Sequence, residues 1–311
     1  MILTVTPNPC VDKTVFIDEL TIGTFMRSRK CTCIAGGKGT NVSRAVKAMG
    51  RETKAMVVVG GYPGRHVVEM IEQQDGVVCL PAWVSSQTRT ITTILEEPIH
   101  RQTAFFEPGS RVTDEEARGI VETFRNAVRG ARVVCFSGTV SDHALTGLYR
   151  ELIQIAKDAG AITILDSHGD EFAAGIESVP HMVKPNLAEL SEFIGFAIDS
   201  EGERVRAIGL LHARGIGLVV LSLGKDGAMV SDGTERLRVV PPRIQEVNAV
   251  GSGDSLVAGF AIGILEHSPL EKMARIGCAM GAANAMSWDI GHFSREEVDG
   301  LVERVVVERL G

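Results

Sequence analysis

The sequence lacks any apolar run long enough to cross a membrane. About 18 consecutive apolar residues are needed to span a bilayer, and no segment of the 311 residues approaches that length. The opening segment, Met1 to Val5, also has no basic stretch of the kind that begins a secretory signal peptide. We therefore expect a cytoplasmic protein with no signal peptide and no membrane partner.

Cysteine motifs for metals and clusters of basic residues are missing too. Six cysteines stand among apolar neighbours without CxxC spacing: Cys10, Cys31, Cys33, Cys79, Cys135 and Cys278. We expect them to be buried, reduced thiols rather than disulfides or zinc ligands. Lysine and arginine number 32 against 39 acidic residues, which gives a net charge of −7, and no basic cluster stands out. Nucleic acid is therefore not an expected partner.

No internal repeat, low-complexity tract or Pro/Gly/Ser-rich linker divides the chain, whose length suits one large α/β domain as well as two ordinary ones. Apolar runs rich in β-branched residues, at Val133 to Gly138, Ile162 to Asp166 and Gly217 to Leu223, alternate with helical patterns at Ala144 to Ala159 and Glu203 to Arg214. This alternation predicts a mainly parallel sheet covered by helices on both faces. Ligands of such sheets collect at the carboxyl ends of the strands.

Four shorter segments alternate apolar and polar residues and do not continue that pattern: Lys13 to Glu19, Lys30 to Ile34, Thr88 to Glu96 and Gln102 to Phe106. They predict a small separate sheet packed over one edge of the main domain. We therefore expect a single domain over residues 1–311, with a β lid formed by roughly residues 12–35 and 88–108.

A turn of small residues runs into an apolar helix in NAVGSGDSLVAGF, Asn248 to Phe260. Gly251 and Gly253 have no Cβ, so a ligand can approach the backbone there, and a helix that is apolar round most of its circumference is buried. Its free N–H groups and positive dipole end make an anion site at Gly251, Ser252 and Gly253. Asp254 places a carboxylate beside that site, as phosphoryl transfer requires. A helix cap is the alternative for Asp254; a dinucleotide-binding turn is excluded because the third glycine is absent.

A second glycine-rich turn opens an amphipathic helix in AGGKGTNVSRAVKAMG, Ala35 to Gly50. It is not a Walker A loop, because glycine follows the GK pair. Backbone N–H groups, Lys38 and Asn41 at a helix N-terminus suit a polar, anionic ligand, although a solvated surface lysine is the alternative for Lys38. Asp12 follows the first strand, Ile2 to Thr6, and is either a ligand for substrate hydroxyls or an ordinary turn aspartate.

These two motifs resemble the signatures of the ribokinase-like (PfkB-type) sugar kinases. The resemblance implies a three-layer α/β sandwich closed by a β lid, with ATP and Mg²⁺ as cofactors. It implies that Asp254 is the catalytic base, and that the backbone of Gly251 to Asp254 is the anion hole for the transferred phosphoryl group. In the family, Gly37, Lys38 and Asn41 would line the sugar site and Asp12 would hold sugar hydroxyls. Ala249 departs from the family pattern but leaves the glycines and Asp254 intact.

Two further segments resemble the sugar and magnesium motifs of the family. Ser137 opens SGTVSDHAL, which is similar to the SGxLPxG substrate loop but lacks its Pro-x-Gly part. The segment HMVKPNLAEL contains the KPNxxE pattern, in which Lys184 would contact the nucleotide and Asn186 and Glu189 would position magnesium, partly through water. A capping box, which uses the same residue types three apart, is the alternative for Asn186 and Glu189.

The expected nucleotide residues lie toward the C-terminus. LSLGKDGAMV, Leu221 to Val230, resembles the nucleotide loop of the family, so that Ser222, Gly224 and Gly227 would lie along the ribose and phosphates. A plain hairpin turn is the alternative for this segment. The small residues of GCAMGAANAMS would let an adenine ring approach Asn284.

The lysine of GGKG and the opening TPNPCVDKT most resemble the family branch that acts on phosphorylated hexoses, the 1-phosphofructokinases and tagatose-6-phosphate kinases. Arg89 matches the substrate-phosphate residue of that branch, and Arg27 is a plausible second cation, with Arg29 or Lys30 as rivals. We therefore expect ATP-dependent phosphorylation of a hexose phosphate. A kinase for an unphosphorylated sugar or a nucleoside would lack the cations at Arg27, Lys38 and Arg89. A non-catalytic sugar-phosphate-binding regulator would need no base.

The expected lid also predicts the oligomeric state. Its strands alternate, so the small sheet has two faces, and only one of them can cover the active site. The other face has to meet solvent or a second lid. We therefore expect a homodimer formed through the lids.

Overall fold

A computed structural model of the protein describes residues 1–310, and the strands and helices of that range bear out the expected alternation. The strands are, in chain order, β1 (Ile2–Thr6), β2 (Cys10–Ile17), β3 (Lys30–Gly36), β4 (Thr53–Val59), β5 (Val78–Trp83), β6 (Arg89–Glu96), β7 (Arg101–Phe106), β8 (Val133–Ser137), β9 (Ile162–Asp166), β10 (Met182–Val183), β11 (Leu218–Ser222), β12 (Ala228–Ser231), β13 (Arg236–Val240) and β14 (Val306–Leu310). The α-helices are α1 (Lys38–Ala48), α2 (Gly61–Glu69), α3 (Asp114–Ala127), α4 (Leu148–Asp158), α5 (Gly169–Ile176), α6 (Leu187–Ile194), α7 (Glu201–His212), α8 (Ser252–Leu265), α9 (Leu270–Ala285) and α10 (Arg295–Val302).

The main sheet has the strand order β14-β13-β12-β11-β10-β9-β8-β1-β4-β5. The strands from β11 to β5 in that order pair in parallel, and β12, β13 and β14 extend the sheet antiparallel. Side chains of the central strand β1 alternate between two cores, because Ile2 packs on one face and Leu3 on the other. The predicted three-layer α/β sandwich with a mainly parallel sheet is confirmed.

Two large hydrophobic cores cover the two faces of the sheet, and a third, smaller cluster joins β4 to the lid strands. On one face, the ring of Phe136 packs 5.6 Å from that of Phe124 and 5.8 Å from that of Tyr149, measured between centroids. On the other face, α8 is buried from Asp254 through Ile264, as its apolar sequence predicts. It lies so close to α9 that a Cβ added to Gly259 would sit 2.4 Å from the Cα of Gly277. This packing fixes the N-terminal turn of α8 relative to the sheet.

A separate four-stranded sheet with the order β3-β2-β6-β7 forms the lid. Strand β2 pairs antiparallel with β3 and parallel with β6, which in turn pairs antiparallel with β7. These strands overlap the predicted segments, but β2 spans Cys10–Ile17 rather than Lys13 to Glu19, β3 runs on to Gly36 and β7 begins at Arg101. Most of β2 and β6 is half-buried, whereas β7 is largely exposed. The predicted small β lid is confirmed.

Some local expectations are corrected. The helix predicted from residue 144 begins only at Leu148, because Asp142 caps a short 3₁₀ turn, His143–Leu145, that precedes it. All six cysteines are free, but Cys31 is exposed and Cys33 is half-buried, because both lie on β3 at the edge of the lid. Of the helices between residues 1 and 310, none combines the length and the apolar character that crossing a membrane demands.

Candidate active site

The turn before α8 has the conformation that its glycines allow. Gly251 adopts a left-handed φ of 82°, and a Cβ there would lie 2.3 Å from the Cγ2 of Ile290, so only glycine fits. Within residues 1–310, the backbone N–H groups of Gly251, Gly253 and Asp254 donate to no acceptor, whereas Ser252 donates to the carbonyl of Ala249 at 3.2 Å. Three of the four expected N–H donors are therefore available for an anion.

Asn284 braces this turn from behind. Its Nδ2 donates to the carbonyl of Val250 at 2.7 Å and to the hydroxyl of Ser252 at 3.2 Å, and its Oδ1 accepts from the N–H of Gly291 at 2.8 Å. The side chain is buried. The structure thus shows Asn284 holding the turn, and the expected adenine contact stays a prediction.

Asp254 lies in the first turn of α8, buried, with Oδ2 accepting from Nδ2 of Asn41 at 2.8 Å. Burial and the nearby Asp166 carboxylate raise the pKa of Asp254 to about 6, although Lys38, the Asn41 hydrogen bond and Lys184 act in the lowering direction. A carboxylate with a pKa near the working pH is suited to accept a proton from a hydroxyl group. Asp254 is not the cap of α8, because the N-cap residue is Gly251 and Asp254 is the third residue of the helix.

Asp166 at the end of β9 completes a buried charge cluster. Its Oδ1 lies 3.2 Å from Nζ of Lys38 and 3.3 Å from Nζ of Lys184. Burial alone would raise the pKa of Asp166, but the two ammonium groups hold it below its ordinary value. Burial also disfavours the charged form of Lys38, yet the carboxylates of Asp166, Asp254 and Glu189 outweigh it and raise the lysine's pKa. Lys38 is therefore held as a cation beside Asp166, and the surface alternative for Lys38 is excluded.

Sequence reasoning assigned no role to Asp166. The signal was present, since an aspartate ends the apolar strand ITILD at the edge of the sheet where ligands bind. The Nζ of Lys184 also lies 3.5 Å from where a Cβ of Gly253 would be, so the cluster borders the anion turn. The structure thus brings Asp254, Lys38 and Lys184 together around one site.

The residues predicted to line the sugar site lie under the lid. Gly37, at φ 121°, joins β3 to α1 in a single residue, and a Cβ on it would lie 2.6 Å from Cγ2 of Thr6. Asp12 on β2 lines a cleft between lid and main domain with Asn248 and Trp288. Burial raises the pKa of Asp12, against the opposing charge of Arg44. Asp12 is therefore a strand residue that lines a cleft, rather than an ordinary turn residue.

Unsatisfied polar groups mark the neighbouring part of the site. Arg89, at the start of β6, donates from Nη2 to the carbonyl of Asn8 at 3.2 Å. Within residues 1–310, its Nε and the hydroxyl of Ser137 are buried without a hydrogen-bond partner. Gly138, next to Ser137, lies against Lys38: a Cβ added to this glycine would lie 3.8 Å from the Cβ of Lys38. Buried donors without acceptors are costly unless a ligand satisfies them, so this region fits an anionic group.

The remaining lid cations lie on the outside. Arg29 pairs with Asp18 and lies 3.8 Å from Glu97, and the ammonium of Lys30 lies 4.5 Å from the ring centre of Phe16. Arg29 and Lys30, the two alternatives to Arg27 for a second phosphate contact, thus interact with other lid residues. Arg27 is exposed between β2 and β3. Within this chain, the structure does not bring Arg27 to the other site residues.

Asn186 and Glu189 form a capping box at the start of α6. Glu189 Oε2 accepts from the N–H of Asn186 at 2.8 Å, and Asn186 Oδ1 accepts from the N–H of Glu189 at 2.9 Å. The capping box, which was the alternative to a magnesium site for this pair, is therefore present. The second carboxylate oxygen, Oε1, makes no hydrogen bond among residues 1–310 and lies 3.8 Å from Nδ1 of His168. That oxygen stays available for a metal or its water ligands.

The segment from Ser222 to Gly227 leaves the main sheet as a loop between β11 and β12. Ser222 is half-buried and its hydroxyl donates to the carbonyl of Pro185 at 3.3 Å. Gly224 and Gly227 have φ values of 61° and 88°, which favour glycine. The loop is exposed from Gly224 to Asp226, and Ser222 forms an isolated bridge to Asn186. The predicted nucleotide and magnesium segments therefore adjoin.

Comparisons with known proteins agree along the whole chain. A model of the pfkB family of carbohydrate kinases matches residues 6–287. The 1-phosphofructokinase of Bacillus subtilis strain 168 is 33% identical over 313 residues, covering 100% of each chain. The tagatose-6-phosphate kinase of Staphylococcus epidermidis is 30% identical over 310 residues, covering 99% of each. A crystal structure of phosphofructokinase-2 from Escherichia coli in complex with substrates and products has a TM-score of 0.90 at 26% identity, covering 97% of this chain and 98% of that one.

Proposed function

The chain belongs to the pfkB family of carbohydrate kinases, and from this premise we propose that it transfers the γ-phosphoryl group of ATP to a hydroxyl group of a hexose phosphate. The predicted family and enzyme class, a phosphotransferase with an alcohol acceptor, are confirmed. The observation that carries the proposal is the placement of Asp254. It is a buried carboxyl with a pKa of about 6, and it lies in a turn whose N–H groups are available to a ligand. A binding protein without catalysis would need no such base.

In the proposed reaction, the acceptor hydroxyl lies under the lid against Asp254. Its oxygen forms a bond to the γ-phosphorus, its proton passes to Asp254, and the bond to the ADP oxygen breaks. The N–H groups of Gly251, Gly253 and Asp254 stabilise the charge on the phosphoryl oxygens. Lys184, beside Asp166, supplies positive charge on the nucleotide side of the site.

Magnesium fits the donor set that the chain offers. Within residues 1–310 no cluster of three or more His, Cys, Asp or Glu side chains could hold a metal alone, and Mg²⁺ commonly takes one or two carboxylates together with phosphates and water. Glu189, next to Asn186, would hold the ion through Oε1, the oxygen that the capping box does not use. Ser222, Gly224 and Gly227 would line the nucleotide. When bound, magnesium neutralises charge on the transferred phosphate.

The acceptor class is inferred from the cations under the lid. Arg89 has a buried Nε without partner, Ser137 has a buried unpaired hydroxyl, and Lys38 lies beside the same loop. An acceptor that already carries a phosphate would satisfy all three. Asp12 and Asn41 would hold sugar hydroxyls. The relatives at 30% and 33% identity, named as kinases of phosphorylated sugars, support this class. Arg27 stays the predicted second cation.

A coupled ADP-release assay tests the proposal. The acceptors are fructose 1-phosphate, fructose 6-phosphate and tagatose 6-phosphate, with free fructose and adenosine as comparisons. We expect one hexose phosphate to exceed both comparisons in kcat/KM by at least about 100-fold, because a site built to pair a polar group rejects an analogue that lacks it. A preference for free fructose or adenosine would contradict the proposed acceptor class.

We also propose that two copies associate through their lids. The surface of the lid carries exposed apolar side chains on β7 and its neighbouring loops: Ile22, Phe25, Ile99, Phe105 and Phe106. Such side chains on a sheet edge favour contact with another protein surface. Light scattering at micromolar concentration should find a dimer that Phe106→Glu weakens. A wild-type chain that is monomeric under those conditions would exclude this assembly.

A further inference from the structure

Arg44 lies behind the site, on α1, one turn after Asn41. Its side chain is 4% exposed and is paired with that of Asp75, which is equally buried. Nε donates to Asp75 Oδ1 at 2.7 Å and Nη2 to Asp75 Oδ2 at 3.0 Å. Three further bonds reach the carbonyl of Ala35 at 2.7 Å, Oδ1 of Asn41 at 3.1 Å and the carbonyl of Ile290 at 3.3 Å. Every N–H of the guanidinium thus has an acceptor.

The contact with Asn41 settles which way that amide points. Arginine has only donors, so the atom of Asn41 that faces Arg44 has to be the carbonyl oxygen. The NH₂ group of Asn41 then has to face Asp254, which it meets at 2.8 Å. The ionised carboxylate of Asp254 favours the same orientation because it can only accept, and Arg44 fixes the amide from its oxygen end.

The other two contacts of Arg44 lead to parts of the same site. Ala35 belongs to lid strand β3, just before the glycine turn that carries Lys38. Ile290 packs its side chain where a Cβ of Gly251 would be, so its carbonyl group belongs to the wall of the anion turn. One guanidinium therefore joins the lid strand, the helix α1 and the turn before α8.

We propose that Arg44, held in place by Asp75, is a positioning residue that orients the Asn41 amide toward the catalytic base. The inference rests on the proposed function for its kinetic consequences, but not for the geometry of the amide. The charged groups that act on Asp254 are Asp166, Lys38 and Lys184; Arg44 acts through Asn41.

The first experiment compares Arg44→Lys and Asp75→Asn with the wild type. Lysine keeps the charge but cannot span Asp75 and Asn41 with a planar fork. We expect kcat to fall about 10- to 100-fold for Arg44→Lys, and less for Asp75→Asn, since small misplacements of catalytic groups have effects of that size. KM for ATP should change less than about threefold. The acid limb of the kcat profile should move to higher pH, because Asp254 loses a hydrogen bond that favours its charged form.

Arg275→Lys is the matched control. Arg275 also holds a carboxylate, Glu271, and a backbone carbonyl, that of Val305, but on α9 away from the site. It should leave kcat and its pH profile unchanged. Arg44→Lys and Asn41→Ala should also combine with far less than additive effect, because both act through one amide. Independent, multiplying effects would overturn the proposal, as would a loss of kcat that only follows the unfolded fraction.

A readout without catalysis keeps the two proposals distinguishable. In ¹⁵N-labelled protein, the side-chain NH₂ signals of Asn41 are assigned by their loss in Asn41→Ala. We expect their exchange with water to rise about tenfold or more in Arg44→Lys and Asp75→Asn, and not in Arg275→Lys. Unchanged exchange in Asp75→Asn would overturn the positioning role even if Arg44→Lys does not fold. A wild type that phosphorylates no hexose phosphate would contradict the proposed function and leave this test intact.

Discussion

Two arginine–carboxylate pairs show how differently the lid and the floor of the site are built; the floor is formed by Lys38, Asn41, Asp166, Lys184 and Asp254. On the lid, Arg29 and Asp18 are each 59% exposed. Behind the floor, Arg44 and Asp75 are each 4% exposed. An exposed pair contributes about 0–1 kcal/mol, whereas breaking a buried pair costs about 3–5 kcal/mol, because a charge is left without water or partner.

The difference in burial suggests different roles for the floor and the lid. The floor fixes a few charged groups in a dry environment, where each acts strongly on the others, as the pKa of about 6 at Asp254 shows. The lid has half-buried strands and an exposed outer strand, so its polar groups can adapt to a ligand. Changes in the floor should therefore alter chemistry, and changes in the lid should alter which molecule is bound.

The largest effect should follow from removing the base. We expect Asp254→Asn to lower kcat by several orders of magnitude while KM for ATP stays within about tenfold, because the amide keeps the shape of the site but cannot take a proton. Asp114→Asn, in the first turn of α3, is the control and should be fully active. Steady-state kinetics that retain more than about a tenth of the wild-type turnover would end the assignment of Asp254.

Arg89 lies where lid and floor meet and should affect binding instead. Loss of one member of a desolvated charge pair costs about 2–5 kcal/mol, so Arg89→Ala should raise KM for the hexose phosphate about 30-fold to several thousand-fold. KM for ATP should change far less, and the exposed Arg129→Ala should change neither. If Arg89→Ala leaves the preference for a phosphorylated acceptor intact, Arg89 does not contact that phosphate.

The buried carboxyl of Asp254 also predicts that its substitution by asparagine stabilises the folded protein at neutral pH. The pKa of Asp254 is about 6 in the folded chain against an ordinary 3.8, so the folded state binds the proton more tightly. Stability is therefore lost as pH rises from about 4 to 6, and the loss above pH 6 reaches about 3 kcal/mol. Asp254→Asn removes this loss. Urea unfolding should find the variant more stable than the wild type at pH 7.5 and equal to it below pH 4; a difference that does not vary with pH would argue against the raised pKa.

The smallest effect should come from the exposed lid pair. Arg29→Ala should change the free energy of unfolding by less than about 0.5 kcal/mol, and KM for the hexose phosphate by less than about twofold. Denaturant titration and initial rates measure both. A large rise in KM would show that Arg29, rather than Arg27, reaches the phosphate of the acceptor and that the lid is more than an adaptable cover.

The features that the sequence predicts well are those that a short segment encodes. The buried helix after Gly253 and the glycine turns follow from patterns within about a dozen residues, and the lid strands from their alternation. The links of Asp166 to two lysines, and of Arg44 to Asp75, join distant segments and leave no local pattern. The contacts of Asn284 with the turn could not be predicted for the same reason, since they are set by the packing of α9 against the turn at Gly251.

The parallel pairing at the centre of the lid has a consequence for folding. Cys10 pairs with Arg89 and Ile17 with Glu96, and the chain between these strands includes β4, α2 and β5. A two-stranded hairpin alone is marginally stable in water, so neither β2–β3 nor β6–β7 is expected to persist before β4 has paired with β1 and β5 with β4. Closing such long loops is slow because their entropy is lost before contacts form. The lid is thus expected to form late in folding, on a main sheet that is already in place.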